Sequence, residues 1–197
     1  MNTISNVLFW ISNGLLVPVA VLLILFLIQA LILAGGFFGE YFRRRTVEKK
    51  VSSLLDSGAT GLEKAMASLP QDGKSSLLRA VRQLFAHRGD KAWCERLLAN
   101  FEVEAEKELG RSRTLAKIGP MLGLMGTLIP MGPALVGLAA GDLASMAYNM
   151  QVAFATTVVG LLVAAIGVAT LQVRQRWYAR EANDLEYLVE TLSHETE

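Results

Sequence analysis

Residues 113–173 read RTLAKIGPMLGLMGTLIPMGPALVGLAAGDLASMAYNMQVAFATTVVGLLVAAIGVATLQV, and this stretch decides the fold. It contains two apolar runs, 115–140 and 147–173, joined by a short linker that holds Asp142. A helix needs about 20 residues to cross about 30 Å of hydrocarbon, so each run is long enough to span a membrane. The short linker predicts that the two spans form an antiparallel hairpin.

The two runs are rich in Gly, Ala, Pro and Thr, and small side chains allow helix backbones to approach closely in a membrane. In the second run the small residues recur at steps of three and four, which places them on one face of a helix. They are Ala153, Thr157, Gly160, Ala164 and Gly167. In the first run the corresponding residues are Gly119, Gly123 and Gly126, with Thr127 and Pro130 on or beside the same face. The pattern predicts two helices that pack tightly against other helices.

The distribution of charge predicts the orientation of the chain. No Lys or Arg occurs in residues 1–42 or in residues 118–173. The positive-inside rule then places the N-terminus and the hairpin linker outside, and the Lys- and Arg-containing segments in the cytoplasm. A first apolar run at 7–38, with Pro18 inside it, has no basic residues before it and three arginines after it, which is the reverse of a cleavable signal peptide.

We therefore predict an all-α integral membrane protein with three transmembrane helices. Its parts are an outer stub and first transmembrane helix (1–42), a cytoplasmic helical domain (43–112), the transmembrane hairpin (113–173) and a cytoplasmic C-terminal helix (174–197). Within the domain we expect short helices at Glu48–Leu55, Leu62–Leu69 and Ser75–Ala86, and a long helix from Lys91 with Asp90 as its N-cap. No strong stop signal separates this long helix from the second span, so the second and third spans are predicted to extend into the cytoplasm.

Several function classes have no support in the sequence. The net charge is +1, which gives no electrostatic reason to expect nucleic acid binding. The single cysteine, Cys94, cannot form an internal disulfide, and His87 and His194 have no metal-ligand spacing. No glycine-rich phosphate loop and no catalytic Ser/His/Asp set stands out. We expect neither an enzyme nor a bound cofactor or metal.

Two motifs in the hairpin carry a family resemblance. The first helix follows the pattern Pro-x-x-Gly-Leu-x-Gly-Thr, in Pro120, Gly123, Leu124, Gly126 and Thr127. The second resembles Ala-Thr-x-x-Gly-Leu-x-Val-Ala-Ile, in Thr157, Gly160, Leu161, Val163 and Ala164, but here Ala165 precedes Ile166 and shifts the end of the pattern. In order and topology the chain resembles the MotA/TolQ/ExbB proton-channel family, and most of all its three-span ExbB/TolQ branch.

The resemblance implies a pentameric ring in a bacterial-type inner membrane. The ring would surround a dimer of a single-span partner similar to ExbD, TolR or MotB, in a 5:2 rotary motor driven by ion flow. It also implies that Thr127 and Thr157 line the ion pathway. Their neighbour Thr156 belongs to the same candidate set, although it points to another side and has a structural role as its alternative. From residue types alone, each hydroxyl could instead bond to a carbonyl one turn earlier.

The cores of the three spans contain no Asp, Glu, Lys, Arg or His, and a proton path through hydrocarbon usually needs a titratable carrier. Threonine does not titrate near neutral pH, so a partner must supply the acid; in the related proteins this is an aspartate of the single-span subunit. Many ExbB and TolQ relatives carry a glutamate where this chain has Val152, so any role of that acid is absent or moved here. Threonine oxygens also suit sodium, and sodium is therefore an alternative to the proton as the transported ion. The alternative function is a non-conducting oligomeric scaffold. Whether Pro130 and Pro133 kink their helix also stays open.

Overall fold

The computed structural model describes residues 2–55, 76–87 and 90–194, and this part of the chain is helical without a strand. Its helices are α1 (Asn2–Gly14), α2 (Leu16–Leu55), α3 (Ser76–Ala86), α4 (Lys91–Ala139) and α5 (Leu143–His194). Three helical segments are long and apolar enough to cross a membrane, namely Asn6–Tyr41, Ala92–Ala139 and Leu143–Thr191. The prediction of an all-α protein with three candidate spans is confirmed for these residues.

The chain divides into two compact units, which we call the apolar unit and the polar unit. The apolar unit consists of Met1–Gly35 and Arg111–Leu171, and the polar unit consists of Gly36–Gly110 and Gln172–Glu197. Helices α2, α4 and α5 each contribute residues to both units.

Two clusters of buried side chains hold α2 against the α4–α5 hairpin in the apolar unit. The first contains Val19, Leu23, Leu122 and Ile129, and the second contains Ala30, Leu115 and Val163. Residue numbers rise along α2 and fall along α4 from the first cluster to the second, so these two helices run antiparallel. All members are apolar, which suits a unit built to lie in hydrocarbon.

The hairpin turn is made by two capping motifs in succession. Gly141 has a φ of 74°, and the amides of Gly141 and Asp142 bond to the carbonyls of Leu138 and Gly137 at 3.1 and 2.9 Å. This Schellman arrangement ends α4 and requires a left-handed residue that glycine adopts without strain. Asp142 then accepts a bond from the Ser145 amide at 3.0 Å and so caps the start of α5.

The first apolar run is divided between two helices, whereas the sequence predicted one helix over 7–38. The interruption lies at Leu15, between α1 and α2. Pro18 has no amide hydrogen to donate to the Gly14 carbonyl, and it occupies the first turn of α2, where a helix needs no donor. The Leu15 amide still bonds to the Ile11 carbonyl and the Val19 amide to the Leu15 carbonyl, at 3.1 and 3.0 Å, so the interruption is confined to one residue.

Helices α4 and α5 are continuous over 49 and 52 residues, which confirms the prediction that the helices of the second and third spans extend well beyond the apolar runs. The prolines Pro120, Pro130 and Pro133 lie inside α4 without ending it. The predicted helix Ser75–Ala86 is α3, and the predicted helix Glu48–Leu55 is the last part of α2 and not a separate element. The predicted helix Leu62–Leu69 lies outside the described residues.

Two N-caps, the predicted Asp90 and also Asp142, allow a test of the helix ends. Asp90 accepts a bond from the Trp93 amide at 3.0 Å, so Asp90 and Asp142 are equivalent N-caps. We expect Asp90→Ala and Asp142→Ala each to reduce the free energy of unfolding by about 1 kcal/mol, because an amide loses its acceptor. The unfolding temperature in detergent should fall by about 2–4 °C. Asn at either position should restore most of it; an Asn variant as unstable as the Ala variant would contradict the capping role.

Candidate ion pathway

The α4–α5 hairpin is held together by direct contact between backbones. A Cβ atom at Gly160 would lie 2.7 Å from Gly123 Cα and 2.8 Å from the Gly119 carbonyl oxygen. A Cβ atom at Gly167 would lie 2.5 Å from the Ala116 amide nitrogen. Such distances are shorter than real Cβ atoms allow, so the two helices can approach this closely only with glycine at these positions.

The predicted packing residues lie in or beside this contact. The structure buries all eight of them, namely Gly119, Gly123, Gly126, Pro130, Ala153, Gly160, Ala164 and Gly167. A Cβ atom at Gly119 would meet the Gly160 carbonyl and the Ala164 amide, both at 3.0 Å. The small residues therefore bring together two helices of one chain, and this is the use of the small-residue face that the structure shows.

Thr156 lies inside the hairpin contact. A Cβ atom at Gly126 would lie 2.6 Å from both Cβ and Oγ1 of Thr156. The Thr156 hydroxyl donates within its own helix, to the carbonyls of Val152 at 3.1 Å and Ala153 at 2.9 Å. Its side chain thus fills the space that Gly126 leaves open.

Thr127 and Thr157 are half-buried, one on each helix of the hairpin. The Thr127 hydroxyl donates to the Leu124 carbonyl at 2.7 Å, and the Thr157 hydroxyl donates to the Ala153 carbonyl at 3.0 Å. A hydroxyl group has one donor hydrogen and two lone pairs, so each oxygen keeps acceptor capacity. The two side chains can therefore accept a hydrogen bond or ligate a cation through oxygen.

Two buried polar side chains that the sequence analysis missed form a hydrogen bond at the end of the hairpin that lies away from the turn. Thr170 and Ser112 are both buried, and their hydroxyl oxygens lie 3.3 Å apart. Ser112 lies four residues before Ala116, and Thr170 lies three residues after Gly167, so both continue the small-residue steps of their helices. Extending the pattern by one turn would have found them.

The polar unit contains a network of charged and aromatic side chains that the sequence did not reveal. Arg174 donates to Glu40 at 2.7 Å, Arg44 donates to Glu40 at 2.9 Å, and Arg44 also pairs with Glu181. Tyr178 donates its hydroxyl hydrogen to Glu108. The network therefore joins helices α2, α4 and α5.

The network is largely withdrawn from solvent. The side chains of Glu40, Arg44, Arg174 and Glu181 are each 12–17% exposed. Burial disfavours the charge on Arg44, but the carboxylates of Glu181 and Glu40 outweigh it and raise the pKa of the guanidinium above its usual value. The Arg44 guanidinium also lies 5.1 Å from the Trp177 ring centroid and 4.8 Å from that of Tyr178. Arg44 is thus held as a permanent positive charge among these groups.

Aromatic side chains of α2 and α5 also meet in the polar unit. The rings of Phe37 and Trp177 stack with centroids 5.4 Å apart, and Tyr41 lies 5.9 Å from Trp177. Among residues 2–55, 76–87 and 90–194, no group of three or more His, Cys, Asp or Glu side chains is arranged to hold a metal ion.

Comparison of the sequence with models of protein families gives a match that includes the hairpin. The model of the MotA/TolQ/ExbB proton channel family matches residues 59–187, which is well over half of the chain and includes the entire hairpin. The chain belongs to the MotA/TolQ/ExbB proton channel family. A search of curated proteins finds no match to the chain. The MotA/TolQ/ExbB match begins after α2, so α1 and α2 lie outside the matched region.

The backbone contact gives a first test at the site. Gly160→Ala should destabilise the hairpin by about 1–3 kcal/mol, because the added methyl group overlaps the backbone of α4. Gly110→Ala is the matched control, since a Cβ atom there meets nothing within 4 Å and alanine is the better helix former. Thermal unfolding in detergent measures both. A Gly160→Ala protein as stable as the Gly110→Ala protein would disprove the close contact.

The charge network gives a second test. Arg174→Gln should lower the free energy of unfolding by about 3 kcal/mol, because it leaves the buried Glu40 carboxylate with one cation fewer. Arg79→Gln is the control, since Arg79 pairs with Glu104 at 3.9 Å with both side chains about half exposed. We expect Arg79→Gln to lower the free energy of unfolding by less than about 1 kcal/mol. Equal shifts in unfolding temperature for the two variants would show that the Glu40–Arg174 pair is no stronger than a surface pair.

Proposed function

We propose that the protein is the ion-conducting subunit of an inner-membrane motor of the ExbB/TolQ type. The observation that carries the proposal is the family match across a hairpin that presents Thr127 and Thr157 at half-buried positions. In this proposal the ion is the proton, with sodium as the alternative. The N-terminus and the hairpin turn face outward and the C-terminus lies in the cytoplasm, as the charge distribution predicts.

The composition of the hairpin requires a partner for conduction. Among Asp, Glu, His, Lys and Arg, residues 118–173 contain only Asp142, which lies in the turn. Threonine oxygens can accept a hydrogen bond but cannot carry a proton at neutral pH. A single-span subunit with a membrane aspartate, similar to ExbD, TolR or MotB, would supply the missing acid. Thr127 and Thr157 would then accept hydrogen bonds from that acid in its protonated form.

The assembly that we propose is a homopentamer around a dimer of that partner. Large apolar side chains of the hairpin remain exposed in the single chain, among them Leu124, Leu128, Leu135, Phe154, Val158 and Leu161. These surfaces need lipid or other subunits to cover them. Protonation of one partner aspartate at a time would turn the ring stepwise, driven by about 2.3 kcal/mol per charge for each 100 mV.

The test uses the full chain together with the neighbouring single-span protein in vesicles. An imposed potential of about 100 mV drives ions, and a pH-sensitive or sodium-sensitive dye inside reports the flux. Thr127→Ala/Thr157→Ala should lower the flux at least about tenfold, because two hydrogen bonds worth about 1 kcal/mol each are lost. The 5:2 stoichiometry in native mass spectrometry should stay unchanged.

Thr127→Ser/Thr157→Ser is the matched control, because it keeps both hydroxyls and should keep most of the flux. Thr191→Ala, which removes a hydroxyl bonded to the Tyr187 carbonyl far along α5, should have no effect. Full flux in the double-alanine protein would refute the role of the two threonines. A closed oligomer that conducts nothing and never binds the single-span protein would favour the scaffold instead.

A further inference from the structure

One carboxyl group of the polar unit is only partly satisfied by its neighbours. Glu181 pairs with Arg44 through Oε1, but its other oxygen, Oε2, is buried and has no hydrogen-bond partner among the described residues. Glu40 differs, because one of its oxygens accepts a bond from Arg44 and the other accepts a bond from Arg174. A buried carboxylate oxygen that receives no hydrogen bond is costly, so this arrangement suits Glu40 as an anion better than it suits Glu181.

The groups around Glu181 carry more negative than positive charge. They belong to three helices and are Glu40 and Arg44 of α2, Glu108 of α4, and Arg174, Tyr178 and Asp184 of α5. Together with Glu181 the set contains four carboxyl groups and two guanidinium groups. Buried like charges disfavour one another, so a set with more acids than cations favours the binding of a proton.

Glu181 is the acid of this set that best accommodates a proton. Glu40 is bonded to two guanidinium groups, and Glu108 accepts a hydrogen bond from Tyr178. Glu181 has one guanidinium partner and one oxygen without a bond. It lies eight residues beyond the apolar run 147–173, and therefore outside the segment that crosses hydrocarbon. Burial raises the pKa of Glu181 to about 7, with the nearby carboxylates adding to the rise and the paired guanidinium opposing it.

We propose that Glu181 is a proton-binding site of this chain, at which a proton from water adds to Oε2 while Arg44 stays bonded to Oε1. One O–H bond forms and no other covalent bond changes. The ion pair then becomes a hydrogen bond between a guanidinium group and a neutral acid, so Arg44 is held less strongly by α5. The pH of the solution thereby sets the strength of this contact between α2 and α5. This proton binding needs neither conduction nor a partner protein, so its test can fail while the proposed ion pathway holds, and the reverse.

Trp177 can report the protonation of Glu181, because the Arg44 guanidinium lies 5.1 Å from the centroid of its ring. Trp10→Phe/Trp93→Phe leaves Trp177 as the single tryptophan, and we call this full-length protein the reporter chain. In detergent, we expect the Trp177 emission of the reporter chain to titrate with a midpoint of about pH 7. The emission changes because the charge that Arg44 faces changes when the proton binds.

Two controls assign the titration to one carboxyl group. His87→Gln/His194→Gln, added to the reporter chain, removes both histidines, which also titrate near neutral pH. Glu181→Gln should then abolish the titration. Glu104→Gln is the matched control, since Glu104 is a half-exposed acid of α4 that pairs with Arg79, and it should leave the titration unchanged.

The unfolding temperature gives a second reading, whose sign separates proton binding from an ordinary ion pair. A glutamate in the unfolded chain titrates near about pH 4.3, so stability that comes from the raised pKa of Glu181 is present at low pH and lost as the pH rises through about 7. We expect the reporter chain without histidines to unfold about 2–4 °C lower at about pH 8 than at about pH 6. Glu181→Gln, which resembles the protonated acid, should show no such fall and should be at least as stable as its parent at the higher pH. A plain ion pair predicts the reverse, since the variant would deprive Arg44 of an anionic partner.

Several results would overturn the proposal. A midpoint below about pH 5 would show that Glu181 is an ordinary ionised partner of Arg44. A midpoint near neutral pH that survives Glu181→Gln would place the proton on another group. A Glu181→Gln protein that is less stable than its parent at both pH values would show an ion pair without a bound proton. If Glu181→Gln does not fold, Glu181→Asp replaces it, because the shorter acid must move the midpoint; an unmoved midpoint would also contradict the site.

Discussion

The contact between Gly123 and Gly160 sets the distance between α4 and α5, and the other groups of the hairpin depend on that distance. With the backbones this close, Thr156 can fill the space above Gly126, and Ser112 can reach Thr170. Apolar side chains do not drive helices together in lipid as they do in water, so close packing and a few hydrogen bonds must hold the hairpin. Glycine supplies the close approach, and the hydroxyl pair supplies the bond.

The same environment determines how the threonines bond. A helix in hydrocarbon must satisfy its polar groups internally, and the Thr127 and Thr157 hydroxyls do so by donating to carbonyls of their own helices. This bonding stabilises the bare helix and also leaves only acceptor capacity on each oxygen. Back-bonding and a pathway role are therefore compatible. A neutral acid or a cation is the kind of group that such oxygens can bind, which agrees with the proposal of a titratable partner.

The sequence predicted what depends on spacing along one helix, and it missed what depends on pairing between helices. Steps of three and four residues identified the small-residue face, and a local signal identified Asp90 as a helix cap. The Ser112–Thr170 bond joins residues 58 positions apart, and the Glu40–Arg174 pair joins residues 134 apart. Spacing indicates which way a side chain points, but it does not indicate its partner. The break at Leu15 was missed because Pro18 was read within an unbroken apolar run.

The two units fix their helices by different means, and the difference follows from their composition. In the apolar unit, glycine contacts define the register by shape, because any shift would bring side chains against a backbone. The polar unit has buried carboxylates and guanidinium groups, whose bonds are directional and whose loss of hydration is costly unless they pair. Glu40 with Arg174 and Tyr178 with Glu108 satisfy each other only in one rotation of α2, α4 and α5. In the polar unit these directional bonds fix the register that close backbone contact fixes in the apolar unit.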